Sequence, residues 1–489
     1  MYSFLISIVA LVLGYLFYGR FLASVVRQDA KNPTPALTKT DGVDYIPMPT
    51  WKVFMIQFLN IAGTGPIFGA IMGAKFGPAC YLWVVLGCIF AGAVHDYISG
   101  MVILRGGGCS YNDMIGKIFG KKTRVFVTFL ITALLLLVGA VFVYSPSIIL
   151  GDIAALSEDS MTSMMFWVVI IFVYYLIASI LPIDKLIGKI YPIFAFCILF
   201  MALGLFVCLL IHWPTIPEFW DGLANRGPSI GVTGQSIFPC LFITVACGAI
   251  SGFHATQSPM MARCLTNEKH ARPVFYGSMI AEGVVALIWA AVSSYFFFDG
   301  GMAEVQASSA QAPAVVVSVS KYWLGAVGSI LAIIGVVAAP ITTGDTAFRS
   351  ARIMIADYVN FDQKPAKNRI LISIPLFAIA ILLLWFNMAD EEGFNTIWRY
   401  FGWLNQTLAA FTLWAMTQWL YTRSRKMYYL ITLLPALFMT AVCGSFILFD
   451  SIGLGLPQAW LPYVVALLVC LSTLSFCLAN RKQKRENEL

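Results

Sequence analysis

The chain has 489 residues, of which 60% are hydrophobic and only 11% charged, and its net charge is +7. Soluble domains run at about 45–50% apolar and about 25% charged residues, so a water-facing surface is excluded. The positive excess follows the loops and reads as membrane topology, with no indication of nucleic-acid binding. Eleven cysteines lie in or beside apolar stretches, with no CxxC and no Cys/His cluster, and the four histidines are far apart. Neither a disulfide framework nor a metal site is expected from them.

Apolar runs of about 20 residues, enough to cross about 30 Å of hydrocarbon, recur along the chain. They predict thirteen spans at 2–24, 51–73, 79–104, 124–147, 164–182, 189–212, 236–255, 272–298, 322–343, 370–387, 398–420, 427–449 and 459–479. Helices are expected, because lipid leaves backbone groups no partner outside the segment, and the alternation of barrel strands is absent. The opening MYSFLISIVALVLGYLFYGRF lacks a basic leader and is read as a retained span. With the N-terminus outside, 27 of the 31 Lys and Arg residues fall in cytoplasmic segments and only Lys75, Arg226, Lys321 and Arg399 outside. That bias predicts a cytoplasmic C-terminus in a bacterial inner membrane. The longest outer loop, 299–320, either folds over an outer entrance or simply connects two spans.

Two spans are interrupted. The second contains NIAGTGPIFGAIMG (60–73) and the seventh ITVACGAISGFHATQSP (243–259). Glycine costs about 1 kcal/mol and proline about 3 kcal/mol against alanine inside a helix, although small residues also serve close helix packing. Each interruption opens a unit of five spans, and five being odd, the two units run in opposite directions. Broken helices at matching places of an inverted repeat point to a transporter's binding site. The expected fold is therefore all-α, with a five-plus-five inverted repeat of the LeuT type inside one transmembrane domain (1–489). A leading helix (2–24) precedes repeats 51–212 and 236–420, and two helices (427–479) trail.

Ionisable residues inside spans are functional candidates. His95 and Asp96 in AGAVHDYISG form the clearest pair. A charged aspartate at that depth is costly unless paired or protonated, and histidine titrates near physiological pH. Adjacent helical positions lie about 100° apart, so the two are not required to face one cavity. Glu282 is either a proton site or a partner for another helix, and His254 follows the second break, near the cytoplasmic side. In APITTGDTAFRSAR, Thr342, Thr343 and Asp345 could join carbonyls of span 2 around a sodium ion, or Thr343 and Asp345 cap the helix end and pair with Arg349 or Arg352. Asn405 and Gln406 in FGWLNQTLAAF are expected to bond neighbouring helices or line the cavity. No P-loop, HExxH or GxSxG in a suitable setting is present, so neither an enzyme nor a cofactor is expected.

The motifs NIAGTGPIFG, AGAVHDY, TVACGAISGFHATQSP, ITTGDTAFRSAR and FGWLNQTLAA occur in the order found in the carbon starvation protein A (CstA) family, which the chain resembles in a short form. The resemblance implies an inner-membrane permease related to the amino acid–polyamine–organocation superfamily. It implies uptake of peptides during starvation or of pyruvate with protons. Carried onto these motifs, it implies a substrate cavity of Asn60, Gly63, Thr64, Gly65, Thr244, Gly248, Ser251, Gly252 and His254. From their depth in the spans, His95, Asp96 and Glu282 are the candidates for proton coupling, and the resemblance implies Asp96 as the carrier. The leading expectation is a proton-driven symporter. The alternatives are a sodium-coupled amino-acid or peptide transporter and a membrane-embedded nutrient sensor.

Overall fold

The computed structural model describes the chain except residues 43, 155–159, 181–182, 300–311, 364, 390–392, 424–426 and 489. In chain order its main helices are α1 (Tyr2–Val25), α2 (Thr50–Ile61), α3 (Thr64–Ala74), α4 (Ala79–Arg105), α5 (Tyr111–Phe119), α6 (Lys121–Ala154), α7 (Ser160–Ile180) and α8 (Ile183–His212). They continue with α9 (Phe242–Thr244), α10 (Gly252–Ala262), α11 (Glu268–Phe298), α12 (Ala312–Val359), α13 (Ala366–Ala389), α14 (Gly393–Arg423), α15 (Met427–Phe449) and α16 (Gln458–Asn480). Among the described residues, eight helices are long and apolar enough to cross a membrane, or nine when α2 and α3 count as one bent span. Helices α7, α9, α10, α12 and α14 fall outside that count.

Burial separates an inner set from a peripheral one. In α4 and α11, 83% of the most apolar window is buried; in α16 none of it is. Leu467, Leu471, Leu474 and Leu478 of α16 stay exposed, as a lipid-facing helix requires. Lipid offers no hydrophobic drive for helix association, so packing and internal hydrogen bonds must hold the bundle together. Glycines let α3 approach the second broken segment: a Cβ on Gly69 would lie 2.9 Å from the carbonyl oxygen of Thr244.

Helix α12 departs from expectation. The ninth span was expected to end near residue 343, with Thr343 and Asp345 as cap candidates, yet the helix runs on to Val359. The polar run does not stop it, because its hydroxyls bond carbonyls of the same helix. Thr342 donates to Ala338, Thr343 to Ala339 and Thr346 to Thr343, at 2.9, 2.9 and 3.0 Å. A helical segment leads into this helix from Ala312, inside the stretch read as an outer loop, with non-helical backbone at Gly325 (φ 61°, ψ −167°) between the two; residues 300–311 of that loop lie outside the described residues.

The layer on the basic side is tied together by Glu268. Its carboxylate accepts from the amide of Asp29 (3.0 Å), the carboxamide of Asn32 (2.8 Å) and the guanidinium of Arg105 (2.6 Å). At the opposite face, Glu218 in the connection after α8 closes the start of α1, accepting from the amides of Tyr2 (2.9 Å) and Ser3 (2.7 Å). Burial opposes the Glu218 charge, but hydrogen bonds from the chain's first amine and from Ser3 prevail and hold its carboxyl below the ordinary glutamate range. A depressed carboxyl stabilises the fold above its unfolded value, about pH 4.3, and loses that contribution as pH falls through the lower folded value. Glu218→Ala is expected to remove about 1 kcal/mol, the size of a helix-cap contact. Thermal unfolding in detergent should resolve the difference at neutral pH and find it shrinking in acid; a difference independent of pH would contradict this role.

Candidate functional site

The two interruptions are built differently and lie side by side. Between α2 and α3 the helix axis bends by 48°, through Ala62 (ψ 48°) and Gly63 (ψ −147°). Between α9 and α10 the chain is unwound from Val245 to Ser251, whose φ of −145° and ψ of 125° are fully extended. Unwound backbone inside a membrane protein persists only when other groups satisfy it. Here the Trp83 indole donates to the carbonyl of Val245 at 3.0 Å. The Gln406 carboxamide donates to the carbonyl of Phe242 at 3.2 Å. The Asn405 side-chain oxygen accepts from the amide of Phe253 at 2.8 Å and the hydroxyl of Ser251 at 3.1 Å. Adjacent amides on α14 thus stitch both ends of the gap, with Asn405 standing in for an N-cap of α10.

The break also carries a chain of buried ionisable groups. Asp96 Oδ1 lies 2.7 Å from His95 Nδ1 and its Oδ2 lies 2.9 Å from His254 Nδ1. On the other edge of that imidazole, His254 Nε2 faces Glu282 Oε2 at 3.5 Å. All four side chains are fully buried, and they connect α4, α10 and α11. Despite being neighbours along one helix, His95 and Asp96 do meet. His254, expected in the substrate cavity or near the cytoplasmic side, lies between the two carboxylates. Each oxygen of Asp96 has an imidazole nitrogen as its partner, whereas neither oxygen of Glu282 has a hydrogen-bond partner among the described residues.

The other expected residues divide into two groups. Asn60 and Thr64 flank the first bend, fully buried, and their side-chain polar atoms have no partner among the described residues. Gln57, one turn before Asn60, is in the same condition. Sequence reasoning passed over Gln57, although a second amide three positions away on one helix face was available as a signal. The glycines serve contact: the side-chain space of Gly65 is taken by Cys247, that of Gly248 by Ala286 and that of Gly252 by the backbone of α14. Thr244 contributes its carbonyl to the same seam, against Gly69.

Of the cation candidates, Thr343 abuts the first break, its Oγ1 2.8 Å from where a Cβ of Gly63 would stand. Thr342 and Thr343 are fully occupied within α12 as donors, leaving lone pairs available. Asp345 neither caps a helix nor marks an end. It accepts from the Tyr191 hydroxyl at 2.8 Å, and Tyr191 also reaches the carbonyl of Thr342 at 3.0 Å. Nothing in the apolar run around Tyr191 announced that pairing.

This arrangement of helices has solved counterparts. It is similar to a manganese transporter of Eremococcus coleocola, crystallised with an aromatic bis-isothiourea compound, with a TM-score of 0.56, covering 90% of this chain and 99% of that one at 10% identity. That identity supports likeness of fold alone. With the apolar helices and the broken, polar centre, the chain is a multi-pass membrane transporter. It belongs to the CstA family: the family model described as carbon starvation protein CstA matches residues 1–154, 143–323 and 315–445. Among similar sequences, an uncharacterised membrane protein of Haemophilus influenzae is 43% identical over 60% of this chain and 91% of its own length. The peptide transporter CstA of Escherichia coli is 26% identical over 88% of this chain and 78% of its own. The pyruvate/proton symporter BtsT of the same organism is 26% identical over 58% of this chain and 47% of its own.

The stitching amides can be tested directly. Asn405→Leu keeps the branching and the number of heavy atoms, with a somewhat larger volume, but leaves the Phe253 amide and the Ser251 hydroxyl without their acceptor. Buried groups left in that state cost about 1–3 kcal/mol each. The variant is expected to unfold at a distinctly lower temperature in detergent, with Asn405→Gln intermediate; an unchanged midpoint would mean that the gap is held by other contacts.

Proposed function

We propose that the chain is a proton-coupled symporter that imports a small nutrient carboxylate or short peptide across a bacterial inner membrane, with a part in the response to carbon starvation. The observation that carries this reading is the buried chain His95–Asp96–His254–Glu282, which joins α4 and α11 to α10 just after the second break. In this reading all thirteen predicted segments cross the membrane, the N-terminus lies outside and the C-terminus inside. α2/α3 through α8 and α9/α10 through α14 form the two inverted units. The 48° bend in the first and the unwound stretch in the second support that assignment.

The chemistry follows from the partners. Asp96 holds both imidazoles by accepting from their Nδ1–H groups, which leaves His254 Nε2 as an acceptor facing Glu282. A proton on Glu282 then completes the chain and leaves Asp96 as its one buried charge, held by hydrogen bonds; loss of that proton adds a second, isolated carboxylate, which costs several kcal/mol unless water or a cation reaches it. Proton occupancy at Glu282 thereby favours the packed form of the break, and proton release favours an opened, hydrated one. His254 and Glu282 carry the moving proton in this scheme, while Asp96, the carrier expected from the family resemblance, becomes the fixed anchor. For substrate, the start of α3 offers a helix N-terminus without a side-chain cap, next to Asn60 and Thr64, which have no side-chain partner among the described residues. Such an end favours a carboxylate. Gly248 and Gly252 contribute close approach rather than side-chain space.

A sodium-coupled alternative draws support from Thr343, whose hydroxyl lies against Gly63 at the first break. Uptake into proteoliposomes separates the two. With pyruvate, amino acids and dipeptides offered in turn, accumulation of one class is expected under an inward proton gradient, with labelled-for-unlabelled exchange in its absence. Accumulation only under a sodium gradient would transfer the coupling to the Thr342, Thr343 and Asp345 region, and binding without any exchange would identify a sensor.

A further inference from the structure

A second cavity lies on the basic face, away from the broken helices. It encloses about 670 Å³ between the ends of α4, α5 and α14 and the wall of α16. Three cations line it: Arg105, Lys117 and Arg423, in the last turns of α4, α5 and α14. No carboxylate is among its described lining residues. The nearby acids are engaged elsewhere, Asp113 with Arg124 at 2.6 Å and Glu268 with Arg105 at 2.6 Å. Arg105 is therefore partly neutralised. Lys117 makes no hydrogen bond or ion pair among the described residues, and the Arg423 guanidinium rests 5.0 Å above the Trp419 ring.

The rest of the lining is apolar or amphipathic. Met114 and Ile118 come from α5, a short helix whose apolar side is buried and which ends at Gly120 with φ +90°. A helix of that pattern lies in the plane of a membrane interface, and Trp419 is the residue type that sits at headgroup depth. Gln418 donates to Asn480 at 3.1 Å and so fixes α16 as the cavity's outer wall. From there α16 presents Leu478, Leu474 and Leu471 to the lipid, an apolar track leading from the cationic cavity toward the hydrocarbon.

We propose that this cavity is a binding site for an anionic phospholipid, its phosphate held by Lys117 and Arg423 and its acyl chains lying along α16. Basic cavities between membrane helices on the cytoplasmic side suit such headgroups. The cations also face the carbonyl ends of their helices, and a purely structural role would follow from that. The test therefore reads lipid selectivity. The purified full chain is titrated with phosphatidylglycerol, with phosphatidylcholine and with glycerol 3-phosphate, and bound species are counted by native mass spectrometry. The intact chain is expected to prefer phosphatidylglycerol over phosphatidylcholine roughly thirtyfold, the contribution of two interfacial cations. The double variant Lys117→Gln/Arg423→Gln should lose that preference, and Lys117→Arg/Arg423→Lys should keep it. Equal binding of the two lipids by the intact chain, or an undiminished preference in the neutral variant, would overturn the proposal. Glycerol 3-phosphate binding as tightly as phosphatidylglycerol would overturn the lipid assignment in favour of a soluble phosphate.

Discussion

Everything at the centre of this transporter depends on keeping backbone polar groups satisfied where a membrane helix is interrupted. At hydrocarbon depth no water is available, and an unpaired amide or carbonyl costs several kcal/mol. The chain meets that demand with side chains from outside the broken segment. Trp83 closes on Val245, Gln406 on Phe242, and Asn405 on Phe253 and Ser251. Glycines do the complementary work, letting α3 and α14 come close enough for those bonds to form. The gap is thus held by interactions that an opening motion would have to exchange for others.

The same gap positions the ionisable groups. Because α10 begins anew at Gly252, His254 sits in its first turn and bridges Asp96 on α4 and Glu282 on α11. Buried charges of this kind contribute little net stability, since desolvation offsets their attraction. In the proposed scheme their value lies in bistability: the pairing is favourable in one protonation state and unfavourable in another, which is what coupling to a proton requires. Gln57, Asn60 and Thr64, whose side-chain polar atoms have no partner among the described residues, lie at the adjoining bend, and in the proposed scheme proton and substrate act on neighbouring breaks of one core.

The sequence made some of this legible and hid the rest for physical reasons. Glycine and proline in otherwise apolar runs mark where a helix cannot run unbroken, so both breaks could be read directly, as could the buried His95–Asp96 pair. Long-range partners leave no mark in local composition. Nothing near Glu282 or His254 indicates that 28 positions of chain fold back to bring them within 3.5 Å, and nothing near Tyr191 points to Asp345. The end of the ninth span was misplaced because Thr342, Thr343 and Asp345 look like helix terminators in a hydropathy profile. Their hydroxyls instead bond within α12 and the carboxylate finds Tyr191, so the helix continues. Gln57 lies in the apolar run FMIQFLNI, before the first glycine, where an amide does not by itself distinguish helix packing from a site.

The central claim is that proton movement runs through Glu282 and His254 at the second break. Proton entry into proteoliposomes, followed with an internal pH dye as substrate is added outside, tests it most directly. Substrate-dependent acidification is predicted for the intact chain. In Glu282→Gln it should vanish while exchange of labelled for unlabelled substrate persists, because the variant mimics a permanently protonated site. Undiminished acidification in Glu282→Gln would contradict the account and move the proton pathway elsewhere.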